Sequence, residues 1–544
     1  MTQPTHCIST RNHHDSFEFP ISTTAASNFR LQMERSLLSV PNEILSKILK
    51  TLHARDILAC SATCRHLRAC IADSVSLQYT VELFGCGMLD GARGMHTLSV
   101  QERLKRLQLY TAAWEKLLWT NSLELPHLVG CKDTAATAVS GDTLVLLHSG
   151  PTANVDAVSR LWMQQLPSEL CAIDEHHYIA EVPCSLRLSN VKLDPTQELV
   201  VVSEGAILRP TKTHVHSMLT GGDHPLAAAY VANNTMSTAC QAVARIHDIC
   251  GDFLLEANPG PSAVPKLRNW KTGIVEASWR PTDVASLAFL DRRHIICISN
   301  SGRDLTIPPH LYIMPLTAAS PSPPSYYEFA LPESMQHSVE MAFLATSTLG
   351  TDLSPGGCFY SDPAERLISI ALTIMKHGRR NSFLIDVPAS TLTRYIAAHP
   401  LSPGDQTVLV PWSAWGTHGA RVTVMPQQMG TLRTSGSRRA ILHRQSAADG
   451  PAVLTVLDYS PRRVARAIAR GTATVLQGAE VGAEHTGADF GVLRTTLPCT
   501  ITETILPEHP RHGGETVWLC ENGVVFVHRQ PFSGKILDAW AHTI

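Results

Sequence analysis

Short apolar runs dominate the chain from about residue 121 onward, and turn residues such as Gly, Pro, Asp and Asn separate them. Runs of about four to eight residues rich in Val, Ile and Leu, bounded in this way, predict buried β-strands. The predicted strands are Thr143–His148, Leu199–Ser203, His294–Ser299, Leu311–Pro315, Leu367–Ile374, Phe383–Val387, Arg421–Met425, Val453–Leu457 and Val524–His528. Apolar residues at helical spacing are rare in this region, and the stretch Arg462–Arg470 is one exception.

So many short strands over more than four hundred residues exceed what one β-sandwich can hold. They favour a radial repeat such as a β-propeller, with two stacked β-sandwiches as the alternative. A weak internal repeat supports the propeller, because Asp194–Val200 resembles Asp362–Ile368, each with an Asp-Pro turn before a buried strand. A degraded third copy is predicted at Arg280–Val284. The sequence does not give the number of blades, although six to eight blades of roughly 40 to 60 residues would fit.

A different pattern precedes the strands, in residues 36–80. Pro41 suits the first turn of a helix, and Glu43 follows it where the helix dipole favours negative charge. Apolar residues then recur at helical spacing, at Ile44, Leu45, Ile48, Leu49 and Leu52. Asp56 is predicted to cap a second helix that begins at Ile57. Helices this short cannot bury all of that apolar surface among themselves, so the segment packs on the rest of the chain or on a partner.

This stretch resembles an F-box, the roughly forty-residue helical motif of cullin-based ubiquitin ligases. The resemblance rests on Leu38, Pro41, Glu43, Ile44 and Leu45, with Val40 where F-boxes usually have Leu, and on the later turn of Cys64, Arg65, Leu67 and Arg68. The continuation from Ile71 to Gly91 is similar to that of many basidiomycete F-box proteins.

The resemblance implies that this segment docks on the Skp adaptor. The residues expected at that contact are Leu38, Pro41, Glu43, Ile44, Leu45, Ile48, Leu49, Leu52, Leu58, Cys64, Arg65 and Leu67. F-box proteins often have a propeller behind the box, so the chain is expected to be a non-catalytic substrate receptor of an SCF-type cullin ligase. Two alternatives stay open, a Skp-binding scaffold that acts outside a ligase and a propeller enzyme with an unrecognised site.

The domain organisation follows from these changes of pattern. We expect a disordered polar tail at 1–35, the three-helix F-box at 36–80, a helical linker at 81–120 and the β-domain at 121–544. A capping box at Ser99–Glu102 is predicted to open the main linker helix.

Charge and composition narrow the classes of function. A formal net charge of −2 gives no broad electrostatic basis for binding nucleic acid or anionic membrane. The 14 cysteines form no CxxC pair, which favours a reduced, intracellular protein, in cytoplasm or nucleus, without a zinc framework. No secretory segment follows Met1 and no apolar run reaches membrane-spanning length. The histidines lack metal-ligand spacing and no catalytic motif is recognisable, so no enzyme, metal or cofactor is expected.

Arginine pairs are the candidate target-binding residues of the β-domain. They occur at Arg292-Arg293, Arg379-Arg380 and Arg438-Arg439, mostly at predicted turns, and again at Arg462-Arg463. If several pairs lay on one propeller face, their guanidinium forks would suit an acidic or phosphorylated target. The alternative is that they are solvated surface arginines paired with acids.

Overall fold

The structure is a computed structural model. It describes residues 40–91, 98–128, 134–148, 158–183, 188–204, 213–227, 245–257, 264–279, 284–299, 309–316, 325–335, 339–346, 357–376, 379–401, 407–425, 434–444, 451–482, 492–506, 515–529 and 536–544. The predicted tail at 1–35 lies outside these residues.

Helices occupy the front of the described chain and three later positions. They are α1 (Asn42–Leu49), α2 (Ala54–Thr63), α3 (Arg65–Asp73), α4 (Val75–Gly85), α5 (Val100–Lys116), α6 (Ala389–Ala398), α7 (Trp412–Gly419) and α8 (Pro461–Arg470). The chain divides into two compact units, residues 1–81 and 82–544. No helix of the described residues is long and apolar enough to cross a membrane.

The first unit is a small helical domain with its own apolar core. Its fully buried side chains are Leu45, Leu49, Ile57, Leu67, Cys70, Ile71 and Leu77. Pro41 stands at the N-cap of α1, next to the predicted first turn. The second helix begins earlier than predicted, at Ala54, because the ring nitrogen of His53 accepts a hydrogen bond from the Arg55 amide and caps it. Asp56 therefore lies in the first turn of α2, where its charge still favours the helix dipole.

The second unit is built almost wholly from strands. In the described residues these are β1 (Met88–Asp90), β2 (Asn121–Glu124), β3 (Thr134–Ser140), β4 (Thr143–His148), β5 (Val158–Gln165), β6 (His176–Pro183), β7 (Leu188–Asp194), β8 (Leu199–Glu204), β9 (Thr213–Ser217), β10 (Arg245–Cys250), β11 (Phe253–Ala257), β12 (Lys266–Asn269), β13 (Val275–Ser278), β14 (Val284–Phe289), β15 (His294–Ser299), β16 (His310–Pro315), β17 (Tyr326–Ala330), β18 (Val339–Thr346), β19 (Phe359–Ser361), β20 (Leu367–Lys376), β21 (Arg379–Pro388), β22 (Thr407–Val410), β23 (Arg421–Val424), β24 (Thr434–Ser435), β25 (Arg438–Arg444), β26 (Ala452–Asp458), β27 (Thr474–Leu476), β28 (Ala479–Val481), β29 (Leu493–Thr495), β30 (Cys499–Ile505), β31 (Glu515–Leu519), β32 (Gly523–Arg529) and β33 (Ile536–Thr543).

Seven sheets of three to five strands account for most of these strands, and we name them blades 1 to 7. From inner to outer strand they are blade 1 (β3-β4-β5-β6), blade 2 (β7-β8-β9), blade 3 (β10-β11-β12-β13), blade 4 (β14-β15-β16-β17-β22), blade 5 (β18-β20-β21-β23), blade 6 (β24-β25-β26-β30-β27) and blade 7 (β31-β32-β33-β2). Two further pairs, β1 with β19 and β28 with β29, lie outside the blades.

The blades form a closed ring. The inner strands contact one another in the order β3, β7, β10, β14, β18, β24 and β31. An apolar cluster that contains Leu144 and Trp162 of blade 1 and Trp518 and Val525 of blade 7 joins the last blade to the first. Blade 7 combines β2, from the start of the domain, with three C-terminal strands. The second unit is therefore a seven-bladed β-propeller, as the strand pattern predicts, and not a pair of stacked sandwiches.

The unbroken apolar runs of the sequence follow from this packing. Second strands of the blades are covered on both faces by neighbouring blades, so Leu144 to Leu147 of β4 are all buried, as are Ile295 to Ser299 of β15. A strand of this kind cannot alternate apolar and polar residues.

The Asp-Pro repeat occupies equivalent positions in two blades. Asp194 and Asp362 each accept a hydrogen bond from the amide two residues later and cap a short turn that leads into the second strand. Residues 280–283 of the third copy lie outside the described residues, and Val284 begins a first strand instead, so this segment is not equivalent to the other two.

The two faces of the propeller are defined by the strand connections. We call the face on which first strands turn into second strands the lower face, and the opposite face the upper face. Helix α5, which the Ser99 hydroxyl caps as predicted, lies on the lower face, because the Tyr110 hydroxyl donates to the carbonyl of Glu521 in the turn between β31 and β32. The preceding segment is held by α8, where Arg466 pairs with Glu82 and Arg463 donates to the Cys86 carbonyl. Residues 82–91 and 98–116 are thus packed on the propeller.

Candidate functional site in the helical unit and on the propeller

An exposed apolar stripe on α1 is the main candidate site of the helical unit. Ile44 and Ile48 are one turn apart and remain 44% and 50% exposed. Glu43, also exposed, stands beside them in the first turn of α1. Helix α2 adds Leu58, which is 41% exposed. Large apolar side chains left this exposed on short helices are typical of a surface that a partner covers.

The residues expected at the adaptor contact divide by burial. Those exposed are Pro41, Glu43, Ile44, Ile48, Leu58 and Arg65, and those half-buried are Leu52 and Cys64. Leu45, Leu49 and Leu67 are buried in the core of the unit. Leu38 lies outside the described residues. The buried members therefore fix the helices, and a partner can reach only the exposed and half-buried ones.

Cys64 has a local role that its position in the sequence did not suggest. Its Sγ accepts a hydrogen bond from the Leu67 amide at 3.5 Å and caps α3. Arg65, the first residue of α3, is left exposed beside this cap. A thiol at an N-cap satisfies one amide that would otherwise have no partner at the helix start.

The arginine pairs of the propeller are not gathered on one face. Arg292 and Arg293 are exposed in the turn between β14 and β15, on the lower face. Arg379 and Arg380 begin β21, opposite the end of β20, and the ends of these second and third strands lie on the upper face. Arg380 is exposed. A common basic ring from these two pairs is therefore excluded by their placement.

The third pair, Arg438-Arg439, is buried at the start of β25 and does not present a free guanidinium. Arg438 pairs with Asp458 at 3.3 Å and lies over the Trp114 ring at 4.2 Å. Arg439 pairs with Asp386 of blade 5. The expectation that this pair contacts a target is not met, because both guanidinium groups are taken by carboxylates inside the protein.

The remaining pair, on α8, is engaged in the same way. Arg462 pairs with Glu365 at 2.9 Å, and Arg463 pairs with Asp458 at 2.7 Å. Burial acts to raise the pKa of Asp458, but Arg463 and Arg438 outweigh it and hold that pKa below its ordinary value. Local sequence pattern does not reveal these partners, although Asp458 directly follows the predicted strand Val453–Leu457 and Glu365 lies within the Asp-Pro repeat.

Two buried carboxylates lie on the lower face at the junction of blades 1 and 7. Asp142, in the turn between β3 and β4, accepts hydrogen bonds from the backbone and side-chain amides of Asn522. Burial, and then the neighbouring carboxylate of Glu521, raises the pKa of Asp142. Glu521 accepts from the Ser361 amide, and burial raises its pKa as well. Both acids thus have internal partners that tie the two turns together.

No group of His, Cys, Asp and Glu able to hold a metal ion occurs among the described residues.

Comparison with known proteins identifies the helical unit. A model of the F-box-like family matches residues 37–81. No curated protein sequence matches the chain.

Solved structures resemble the propeller only distantly. A chain from a crystal structure of the mitotic checkpoint complex has a TM-score of 0.37 at 9% identity, covering 78% of this chain and 91% of its own. The C-terminal WD40 domain of Sif2 has a TM-score of 0.34 at 8% identity, covering 76% and 97%. The WD40 domain of Toxoplasma gondii coronin has a TM-score of 0.37 at 7% identity, covering 78% and 87%. These scores are too low to support an argument, and the propeller follows from the strand order of the chain itself. The chain has an F-box-like domain at residues 37–81, followed by a seven-bladed β-propeller.

Proposed function

We propose that this protein is a substrate receptor of an SCF-type cullin ubiquitin ligase. The F-box-like domain docks on the Skp adaptor, and the propeller holds a target protein. The chain itself is not an enzyme, because catalysis resides in partner subunits. It acts inside the cell, in the cytoplasm or nucleus, where those subunits work.

The observation that supports docking is the exposed stripe of Ile44 and Ile48 on α1 beside the acidic Glu43, together with the exposed Leu58 on α2. Burying one such side chain in a partner contributes about 1.5 to 3 kcal/mol. A short helical surface of this kind can therefore hold an adaptor without any reaction of its own. The contribution to ubiquitination is proximity, since a held target raises the effective concentration of its lysines near the charged enzyme.

The direct test is binding of the purified chain to the purified Skp adaptor by calorimetry. In the variant Ile44→Asp/Ile48→Asp we expect affinity to fall by about thirtyfold or more, which corresponds to about 2 kcal/mol. The matched control is Ile179→Asp/Leu409→Asp, which changes two residues that are 58% and 63% exposed on propeller strands. The control should bind like the parent. A parent that folds but does not bind, or a variant that binds like the parent, would overturn the proposal.

Entry into a ligase is tested separately from adaptor binding. Parent chain, Skp adaptor and cullin should elute together in size-exclusion chromatography. Adaptor binding without cullin would instead favour the alternative, a scaffold that acts outside a ligase.

A further inference from the structure

A pocket opens on the lower face of the propeller between blades 1 and 2. Its volume is about 150 Å³, and its apolar lining includes Met163 of β5, Ile173 before β6, and Met218 and Leu219 after β9. A cavity of about this volume holds a benzene-sized group. The space therefore fits one apolar side chain, or the methylene stem of a long one.

The blade 2 side of the pocket is fixed by hydrogen bonds. The Met218 amide donates to the Glu198 carbonyl at 2.6 Å. The Ser217 amide donates to the Gly222 carbonyl and the Gly221 amide to the Ser217 carbonyl, each at 2.9 Å. Gly221 has φ +69, and a Cβ there would lie 2.8 Å from the Ala180 Cβ, so only glycine lets this loop approach β6. A pocket built in this way exists before a ligand enters.

The charge of the pocket is negative. Its lining contains the carboxylate of Glu198, one histidine, His176, and no lysine or arginine. The other acid of the lining, Asp142, accepts hydrogen bonds from both amide groups of Asn522, and burial raises its pKa to about 8, so it adds no negative charge at neutral pH. Glu198 is exposed, and among the described residues no cation pairs with it. A cation that enters finds the carboxylate of Glu198 without a cationic partner among the described residues, whereas an anion meets repulsion.

We propose that this pocket binds a basic segment of a partner protein, one that inserts an apolar side chain flanked by lysine or arginine. The apolar lining takes the inserted side chain, and the Glu198 carboxylate takes a flanking cation. The inference rests on the proposed receptor function, for which the segment would be the recognition element of the target. It replaces the acidic or phosphorylated target that the arginine pairs suggest, because those pairs are separated or internally neutralised.

The test uses two sets of fluorescent peptides of about nine residues and fluorescence anisotropy with the full chain. One set has Lys-X-Lys at its centre and the other Glu-X-Glu, where X is Leu, Ile, Met, Phe or Ser. At least one basic peptide with an apolar X should bind about tenfold more tightly than its acidic counterpart and than the basic peptide with Ser. Its affinity should fall as salt is raised, because the Glu198 carboxylate is exposed.

Two variants locate the binding. Leu219→Lys places a cation at the mouth and should reduce the affinity of the basic peptide at least about tenfold, while Leu409→Lys, a matched change on β22, should not. Glu198→Gln should weaken binding by about three- to tenfold, while Glu333→Gln, at an exposed position on another part of the domain, should not. Equal binding of both sets, no binding by any basic peptide, or no effect of Leu219→Lys would overturn the pocket proposal.

Adaptor binding is measured on the same preparations. Loss of peptide binding with adaptor binding intact would overturn only the pocket. Loss of adaptor binding with peptide binding intact would overturn the receptor function and leave the pocket as a site for a basic segment.

Discussion

Arg439 on blade 6 forms an ion pair with Asp386 on blade 5, and both side chains are almost completely inaccessible to solvent. The Tyr459 hydroxyl donates to the same carboxylate at 2.6 Å, and the Ser369 hydroxyl donates to its other oxygen. A charge buried between two blades is tolerated only when an opposite charge and hydrogen-bond partners are buried beside it. This cluster therefore joins neighbouring blades.

Removing one member of that pair should be severely destabilising. Asp386→Ala leaves the Arg439 charge buried without its partner, which costs about 3 to 5 kcal/mol in known cases. We expect the urea midpoint of the chain to fall accordingly. The exposed pair Arg494–Glu480 provides the control, since Arg494→Ala removes a solvent-screened interaction and should change the midpoint little. Similar midpoints for the two variants would mean that Arg439 finds another partner.

Arg439 also shows what could not be predicted from the sequence. A doublet after Gly436 and Ser437 looks like a surface turn, and the turn is present, but β25 begins at Arg438 itself. Which blade faces that strand depends on the closure of the ring, and no local pattern contains that information. Asp386 lies 53 residues from its partner Arg439 in the sequence, and Asp458 lies 20 residues from its partner Arg438. Local pattern therefore assigned the doublet to a turn and missed both the strand that begins at Arg438 and the neighbours of that strand.

Strand positions were predictable for a physical reason. Second strands of the blades are covered on both faces, so they must be continuous apolar runs, and the predicted strands Thr143–His148 and His294–Ser299 have the same bounds as β4 and β15. The weakly apolar outer strands, such as β13 with two exposed residues at its start, gave no such run. Blade number could be bounded only by length, because the Asp-Pro turn recurs in two blades and not in all seven.

Neighbouring residues of α1 should separate folding from docking. Leu45→Ala leaves a cavity in the core of the helical unit and should destabilise that unit by about 2 to 5 kcal/mol. Ile44→Ala removes an exposed side chain, so its effect on unfolding should be small while adaptor affinity falls. Proteolysis rates of the helical unit and adaptor calorimetry measure the two effects. If Ile44→Ala unfolds the unit as readily as Leu45→Ala, the exposed stripe is not available for docking.

Asp142 should make the propeller less stable as pH rises. Its pKa is raised from 3.8 to about 8, first by burial and then by Glu521, so the folded state binds a proton that the unfolded state has already released. The stability from that proton is fully present below about pH 4 and is lost as pH rises through about 8. As pH rises from about 5 to about 8.5, the urea midpoint of the parent should fall. The urea midpoint of Asp142→Asn should fall less over the same range, because asparagine has no proton to release.

Asp458→Asn is the control for this pH dependence, because the pKa of Asp458 is shifted in the opposite direction from that of Asp142. The pKa of Asp458 is lowered, so its stabilising effect is present above the ordinary carboxyl range and is lost only in acid. Its substitution should lower the midpoint throughout and leave the slope above about pH 5 unchanged. A parent-like slope in Asp142→Asn would show that Asp142 is ionised in the folded protein.

Gly87 and Gly471 offer a matched pair of substitutions that separates backbone strain from steric conflict. Both have a left-handed backbone, with φ +60 and +63, so alanine at either position costs about 1 to 2 kcal/mol. A Cβ on Gly471 meets nothing within 4 Å, whereas a Cβ on Gly87 would lie 2.3 Å from Glu365 Oε2. That oxygen accepts from Ser460, and the other oxygen of the carboxylate pairs with Arg462.

Gly87→Ala must therefore displace a buried, fully engaged carboxylate, and we expect it to destabilise the propeller by about 1 to 3 kcal/mol more than Gly471→Ala. Urea unfolding of the two variants beside the parent measures the difference. Equal losses would mean that Glu365 moves aside without breaking its bonds to Ser460 and Arg462. A greater loss in Gly87→Ala would establish that this carboxylate fixes the segment before α5 on the lower face of the propeller.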